Sequence, residues 1–199
     1  MKCTIIDYGT GNIQSVHNAL EHLGHTVTRT NDCNEIDKAE CVIFPGQGAF
    51  GPAINQLNTL NLIEPLQRYI QSQRPFIGIC LGFQLLFQES SEAKNVDGLN
   101  AFNGKFEQFN NENIVVPHMG WNEIEVTGNS CLSDFNNQQF YFVHSYFLGS
   151  TSEKNYAITN YDIPFVSAIA NQTQLITQFH PEKSGDVGLG LLKSFFEGL

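Results

Sequence analysis

The N-terminal half of the chain alternates short, wholly apolar runs with stretches of helical periodicity, and this alternation constrains the fold more than any other feature. Lys2–Ile6 reads as a strand, and Ile13, Val16, Leu20 and Leu23 then recur at helical spacing up to a stop at Gly24. Thr26–Thr30 reads as a second strand, and residues 41–44 as a short buried one running into Pro45-Gly46-Gln47-Gly48. Helical periodicity covers residues 57–70, another buried strand covers 75–79, and a helix covers 81–87. Apolar runs of this length suit strands buried on both faces, and parallel neighbours need a helix to cross back between them. The expected fold is α/β: an open, mainly parallel twisted sheet with helices on both faces, flavodoxin-like.

From about Gly98 the pattern changes. Residues 115–126, 139–144, 156–160, 165–170 and 174–179 read as short strands separated by turn residues, and 186–197 as a closing helix. This half is expected to extend the sheet in antiparallel or mixed fashion, as a change of topology within one sheet. Residues 1–199 are therefore expected to form one domain, a natural size for 199 residues.

Composition removes several classes of function. Ten basic residues against twenty acidic ones give a formal net charge of −10. That balance lacks the basic footprint of a nucleic-acid or anionic-membrane binder. No apolar run approaches a membrane span, and the first residues already read as a strand instead of a signal peptide. The five cysteines (Cys3, Cys33, Cys41, Cys80, Cys131) are odd in number and contain no Cys-x-x-Cys. Neither a disulfide framework nor a zinc site is suggested, and a reducing, cytoplasmic setting is expected.

Three segments carry candidate chemistry, and each follows a strand. Gly78-Ile79-Cys80-Leu81-Gly82 has the pattern of a nucleophile elbow with cysteine in place of serine. Such a turn lifts the sulfur above the sheet edge at the start of a helix, where free N–H groups favour thiolate. Alone, the pentapeptide equally suits a core cysteine between packing glycines. His180-Pro181-Glu182 follows the last strand and could supply a base and its orienting carboxylate; alone it reads as a polar turn. Gly46, Gln47 and Gly48 could turn backbone N–H groups toward an oxyanion, or simply form a tight turn. His17, His22, His25, His118 and His144 read as surface or structural histidines. Gly9-Thr10-Gly11 lacks the third glycine of a dinucleotide loop. One parallel sheet would bring the cysteine, the glycine loop and the histidine together at the carboxyl ends of its strands.

With Gly78 to Gln84 and His180-Pro181-Glu182 in place, the chain resembles the class I, triad-type glutamine amidotransferases. Within them it is similar to the glutaminase subunits of imidazole glycerol phosphate synthases. That narrower likeness rests on Asp7-Tyr8-Gly9-Thr10-Gly11-Asn12, Val116-Pro117-His118-Met119-Gly120-Trp121-Asn122, Tyr141-Phe142-Val143-His144-Ser145-Tyr146 and His180 to Gly185, and the resemblance covers essentially the whole chain. It implies Cys80 as nucleophile, His180 as acid–base and Glu182 as orienter. It further implies an oxyanion hole from Gly46, Gln47, Gly48 and the Leu81 N–H, and L-glutamine bound by Gln84, Glu92, His144, Ser145 and Tyr146. Asn12, Trp121, Asn122 and Lys183 match positions facing a partner, an (α/β)-barrel cyclase subunit that forms a heterodimer with the glutaminase and consumes its ammonia. Trp121 also reads as ordinary strand packing. No metal or organic cofactor is implied. Gln47 departs from the family, which usually carries a small apolar residue there, and could bias the resting loop through new hydrogen bonds. The rival readings are a paralogous subunit feeding ammonia to another acceptor such as a surface-sugar pathway, a free-standing Cys-dependent hydrolase, and a non-catalytic flavodoxin-like module.

Overall fold

The computed structural model describes residues 1–10, 12–110 and 114–199. In chain order the first half runs β1 (Lys2–Ile6), α1 (Ile13–His22), β2 (Thr26–Thr30), α2 (Cys33–Lys38), β3 (Cys41–Gly46), α3 (Phe50–Thr59), α4 (Ile63–Gln71), β4 (Phe76–Cys80) and α5 (Leu81–Leu85). The second half runs β5 (Glu89–Ser90), β6 (Lys105–Gln108), β7 (His118–Glu123), β8 (Glu125–Thr127), β9 (Gln139–His144), β10 (Tyr146–Leu148), β11 (Tyr156–Tyr161), β12 (Ile163–Ala170), β13 (Gln174–Thr177) and α6 (Gly185–Glu197).

The main sheet has the order β2-β1-β3-β4-β13-β12-β10-β6-β5, with β11 pairing β12 and β8. Strands β2, β1, β3, β4 and β13 are parallel, and β12 enters antiparallel to β13. The expected change of topology is therefore present, although β13, from the far end of the chain, completes the parallel part. A separate antiparallel pair, β7-β9, lies outside this sheet.

The parallel strands alternate between two cores, as the pleat requires. Cys3, Ile5, Cys41, Ile43, Ile77, Ile79 and Leu175 join α1, α6 and the β7-β9 pair on one face. Ile6, Val42, Phe44, Phe76 and Ile176 join α2 to α5 on the other. Burial of both faces explains why these strands read as continuous apolar runs.

Some boundaries differ from the sequence reading. Residues 57–70 do not form one helix. Asn61 adopts φ +55°, which asparagine tolerates, and the chain restarts as α4 with Pro65 in its first turn. Inside one continuous helix Pro65 would have no N–H to offer the carbonyl four residues back. Residues 115–126 hold two strands with buried Ile124 between them, and residues 174–179 leave the sheet after Thr177. The helix expected over 81–87 ends at Leu85. Helix α2 and strands β5, β6 and β10 were not anticipated. Gly11 of the Gly9-Thr10-Gly11 loop lies outside the described residues. Among the described residues no helix is long and apolar enough to cross a membrane.

Candidate active site

The site lies where β3, β4 and β13 end side by side. Gly46 pairs with Cys80 in the β3–β4 register, and Thr177 pairs with Ile79 in the β13–β4 register. Cys80 closes β4 and caps α5 with φ +55° and ψ −109°, a conformation costly for a side chain other than glycine. Close approach explains its neighbours. A Cβ on Gly82 would collide with the Phe44 carbonyl, and one on Gly46 with the Tyr8 hydroxyl. The two strand ends can meet only without those carbons. Gly78 is less constrained: a Cβ there would stand 3.0 Å from Ile176.

His180 follows β13, and its Nδ1 lies 2.8 Å from Oε1 of Glu182, both side chains being buried. The Pro181–Lys183 turn is held by Ser184, whose Oγ donates to the His180 carbonyl (2.6 Å) and accepts from Tyr141 N (3.0 Å). Burial alone pushes His180 toward its neutral form. The Cys80 sulfur and the Glu182 carboxylate outweigh it and raise the imidazole to about 10. Its Nε2 is buried without a hydrogen bond in this state. The pair thus leaves a ring nitrogen free at a cysteine, the arrangement that proton transfer to and from a thiol requires.

A cavity of about 490 Å³ opens over these groups. Cys80, His180, Gln47, Gly48, Leu81, Gln84, Glu92, His144, Ser145, Tyr146 and Lys183 all line it, with Pro117, Tyr141 and Val143 completing the wall. Leu81 opens α5, so its N–H belongs to the first turn, where no intrahelical acceptor exists. Gly46, Glu182 and Asn12 line a narrow crevice that also touches Gln47 and His180. Gln47 lines the cavity, and its side chain makes no hydrogen bond among the described residues. Glu92 Oε2 accepts the Phe50 N–H at 2.8 Å, securing the start of α3.

Trp121 and Asn122 stand outside the cavity on β7. Trp121 is 54% exposed and meets the edge of Tyr141, while Met119 and Val115 are exposed beside it in the chain. Asn122 turns inward, donating to the Asn160 carbonyl (3.0 Å) and approaching His118 Nε2 (3.3 Å). Asn12 caps α1 through Ser15.

Sequence reasoning missed the polar layer beneath the cavity. His118 Nδ1 lies 3.0 Å from His144 Nε2, and His144 Nδ1 lies 2.8 Å from the Tyr146 carbonyl. Because a carbonyl only accepts, His144 donates from Nδ1 and receives at Nε2 from His118. Burial lowers His118 to about 4. Burial also lowers His144 to about 3, against the Tyr146 carbonyl and with help from His118 and His180. Both rings are therefore neutral near pH 7. Gln178, fully buried just past the end of β13, touches the Cys80 sulfur and was missed too.

Comparison with known proteins finds relatives along nearly the whole chain. The family model for glutamine amidotransferase class-I matches residues 4–198. The chain is 41% identical over 196 residues to the imidazole glycerol phosphate synthase subunit HisH of Caldanaerobacter subterraneus, covering 97% of this chain and 96% of that protein. It is 39% identical over 200 residues to subunit HisH of Methanosarcina barkeri, covering 98% of both. It is 44% identical over 197 residues to the chloroplastic imidazole glycerol phosphate synthase hisHF of Arabidopsis thaliana, covering 96% of this chain and 33% of that protein. The chain thus spans about a third of the length of that relative. A crystal structure of a glutamine amidotransferase superposes with a TM-score of 0.73 at 15% identity, covering 98% of this chain and 97% of the other, which speaks for the fold alone.

Proposed function

The chain belongs to the class-I glutamine amidotransferase family, and from that premise we propose that it is the glutaminase subunit of an imidazole glycerol phosphate synthase. In this reading residues 1–199 act as one amidotransferase domain. It hydrolyses glutamine to glutamate and passes the ammonia to an (α/β)-barrel cyclase partner in histidine biosynthesis, with which it forms a heterodimer. The observation that carries the proposal is the meeting of Cys80, the His180–Glu182 pair and the Gly46–Gly48 turn at adjacent strand ends, with Cys80, His180, Gln47 and Gly48 lining one cavity.

Glutamine enters with its side-chain amide over Cys80, held by Gln84, Glu92 and the His144 to Tyr146 segment. The thiolate attacks the amide carbon, and backbone N–H groups of the Gly46–Gly48 turn and Leu81 take up the oxyanion charge. His180 gives its proton to the leaving nitrogen, the C–N bond breaks, and ammonia departs. His180 then accepts a proton from water, which attacks the thioester and releases glutamate and the thiolate. Glu182 keeps the imidazole in the tautomer that leaves Nε2 toward the chemistry. Trp121, Asn12 and Lys183 belong to the face that meets the barrel, while Asn122 supports it from within through the Asn160 carbonyl.

The test is glutamine turnover measured with the chain alone, then with the cognate barrel subunit and its nucleotide. Strong stimulation by the loaded partner is expected. Equal turnover in both conditions contradicts a partner-dependent glutaminase and favours a free-standing hydrolase.

A further inference from the structure

Behind the proposed nucleophile sits a buried amide that the mechanism above does not use. Gln178 lies between the end of β13 and His180, anchored by its backbone N–H to the Ser167 carbonyl (2.8 Å). Its Nε2 stands 3.9 Å from Cys80 Sγ, and its Oε1 accepts from Gln84 Nε2 at 3.0 Å.

A side-chain amide can point either end at a neighbour, so its orientation has to come from its surroundings. Here it starts at a backbone carbonyl. Tyr146 O, which can only accept, takes His144 Nδ1 at 2.8 Å and Gln84 Nε2 at 3.5 Å. Gln84 therefore turns its N–H groups to Tyr146 and to Gln178, which must answer with its oxygen. That leaves the Gln178 N–H for sulfur. Besides His180, whose imidazole it helps to raise, the sulfur meets the Val143 carbonyl at 3.9 Å, a contact that suits a thiol S–H and repels a thiolate. An N–H aimed at sulfur is a contact that negative charge on the sulfur strengthens, and it adds no charged group to a buried site.

We propose that Gln178 is a further catalytic residue, its N–H oriented through Gln84 by the Tyr146 carbonyl so that it stabilises the Cys80 thiolate. The inference rests on the reading of Cys80 as nucleophile. Gln178 breaks no bond and transfers no proton. It supports the sulfur before attack and again when water attacks the thioester and the C–S electron pair returns to sulfur.

Two variants test it. Gln178→Met keeps length and volume but removes the donor. Gln178→Glu keeps shape and places acceptor oxygens at the sulfur. The readouts are the rate of Cys80 alkylation by iodoacetamide, followed by peptide mass, and kcat and KM for glutamine in the complex with the barrel subunit. Gln178→Met is expected to lower alkylation and kcat by roughly 10- to 100-fold, the worth of one hydrogen bond to a charged acceptor. Gln178→Glu is expected to lower them further, with KM little changed and ammonia-dependent synthesis retained. Wild-type alkylation and kcat in both variants overturn the proposal. A raised KM at unchanged alkylation also overturns it, because Gln178 would then act through the substrate subsite. If neither variant folds, Gln84→Met, which releases the orientation of Gln178, must slow alkylation or the proposal falls. Failure to alkylate Cys80 selectively in the unmodified protein sinks the nucleophile assignment itself, a result distinct from all of these.

Discussion

His180 Nδ1 and Glu182 Oε1 stand 2.8 Å apart, with both side chains 2% exposed. This contact determines which nitrogen of the ring is left for Cys80. Glu182→Gln can still occupy the space, but its amide no longer enforces the tautomer. Glutamine turnover should fall by roughly 100-fold or more, the usual contribution of a positioned acid–base. The same histidine, held between Cys80 and Glu182, makes stability depend on alkaline pH. His180 is raised to about 10 by Cys80 and Glu182 despite burial, so the folded state binds its proton more tightly than the unfolded chain. That contribution is complete below about pH 6.5, the unfolded value, and is lost as pH rises through about 10. Thermal melts between pH 7 and 10 should show a steeper decline for the parent chain than for Glu182→Gln. Parallel declines would contradict the assignment.

The His118–His144 pair gives the opposite sign at acid pH. Both rings stay neutral in the fold because burial lowers them, to about 4 and about 3, while the unfolded chain protonates both below about 6.5. Unfolding therefore takes up protons as pH falls, and each ring costs about 1.4 kcal/mol per pH unit once well below 6.5. Denaturant titrations from pH 7 to 4.5 should record this decline. His118→Asn retains a donor toward His144 and should reduce the proton uptake by about one. An unchanged pH slope would mean that His118 is not held neutral.

Cys80→Ala should abolish glutamine hydrolysis while the assembled complex still makes product from ammonia. Cys80→Ser should behave alike, since a hydroxyl lacks the low-pKa nucleophile that a thiol offers. Measuring both activities on one preparation separates loss of chemistry from loss of folding. A variant that keeps glutaminase activity removes Cys80 from the mechanism.

Gly82→Ala should be among the most damaging one-carbon changes in the protein. Its new Cβ would meet the Phe44 carbonyl, a backbone atom that cannot swing aside. Overpacking of this kind costs typically 1–3 kcal/mol, and here relief would also require moving Cys80. Both the melting temperature and glutamine turnover should drop. Gly78→Ala, facing movable side chains at 3.0–3.2 Å, should be the milder change. Equal tolerance at the two positions would argue against the close strand contact as the reason for the motif.

The parallel sheet and the three strand-end segments were legible because each is written locally: apolar runs of strand length, glycines around a cysteine, His-x-Glu after a strand. Helix α2 also carries a local signal. Asp32 caps it through the Asn34 N–H at 2.9 Å, with Glu35 three residues on, the signature of a helix start. The division of residues 57–70 was likewise marked by Asn61 and Pro65. The polar layer was not legible, because His118 meets His144 and Gln178 meets Cys80 only through pairings between distant segments. No periodicity records the partner of a buried histidine or amide. Asn122 shows the same limit: its place beside Trp121 is plain in the sequence, but its inward turn to Asn160 is set by the fold.

The apolar stretch beside the cavity supplies the last prediction. Val115, Met119 and Trp121 are 76%, 61% and 54% exposed, and Trp121 leans on Tyr141, which lines the cavity. Met119 and Trp121 share one face of β7, and exposed apolar side chains of this kind lose little in the isolated chain when truncated but anchor a partner that covers them. Trp121→Ala should therefore leave the melting temperature and the unstimulated turnover nearly unchanged. Titration with the barrel subunit should show binding weaker by roughly 10- to 100-fold, with stimulated turnover recovered once the partner is in excess. Loss of stability instead would return Trp121 to ordinary packing. An unchanged titration would place the docking face elsewhere on the molecule.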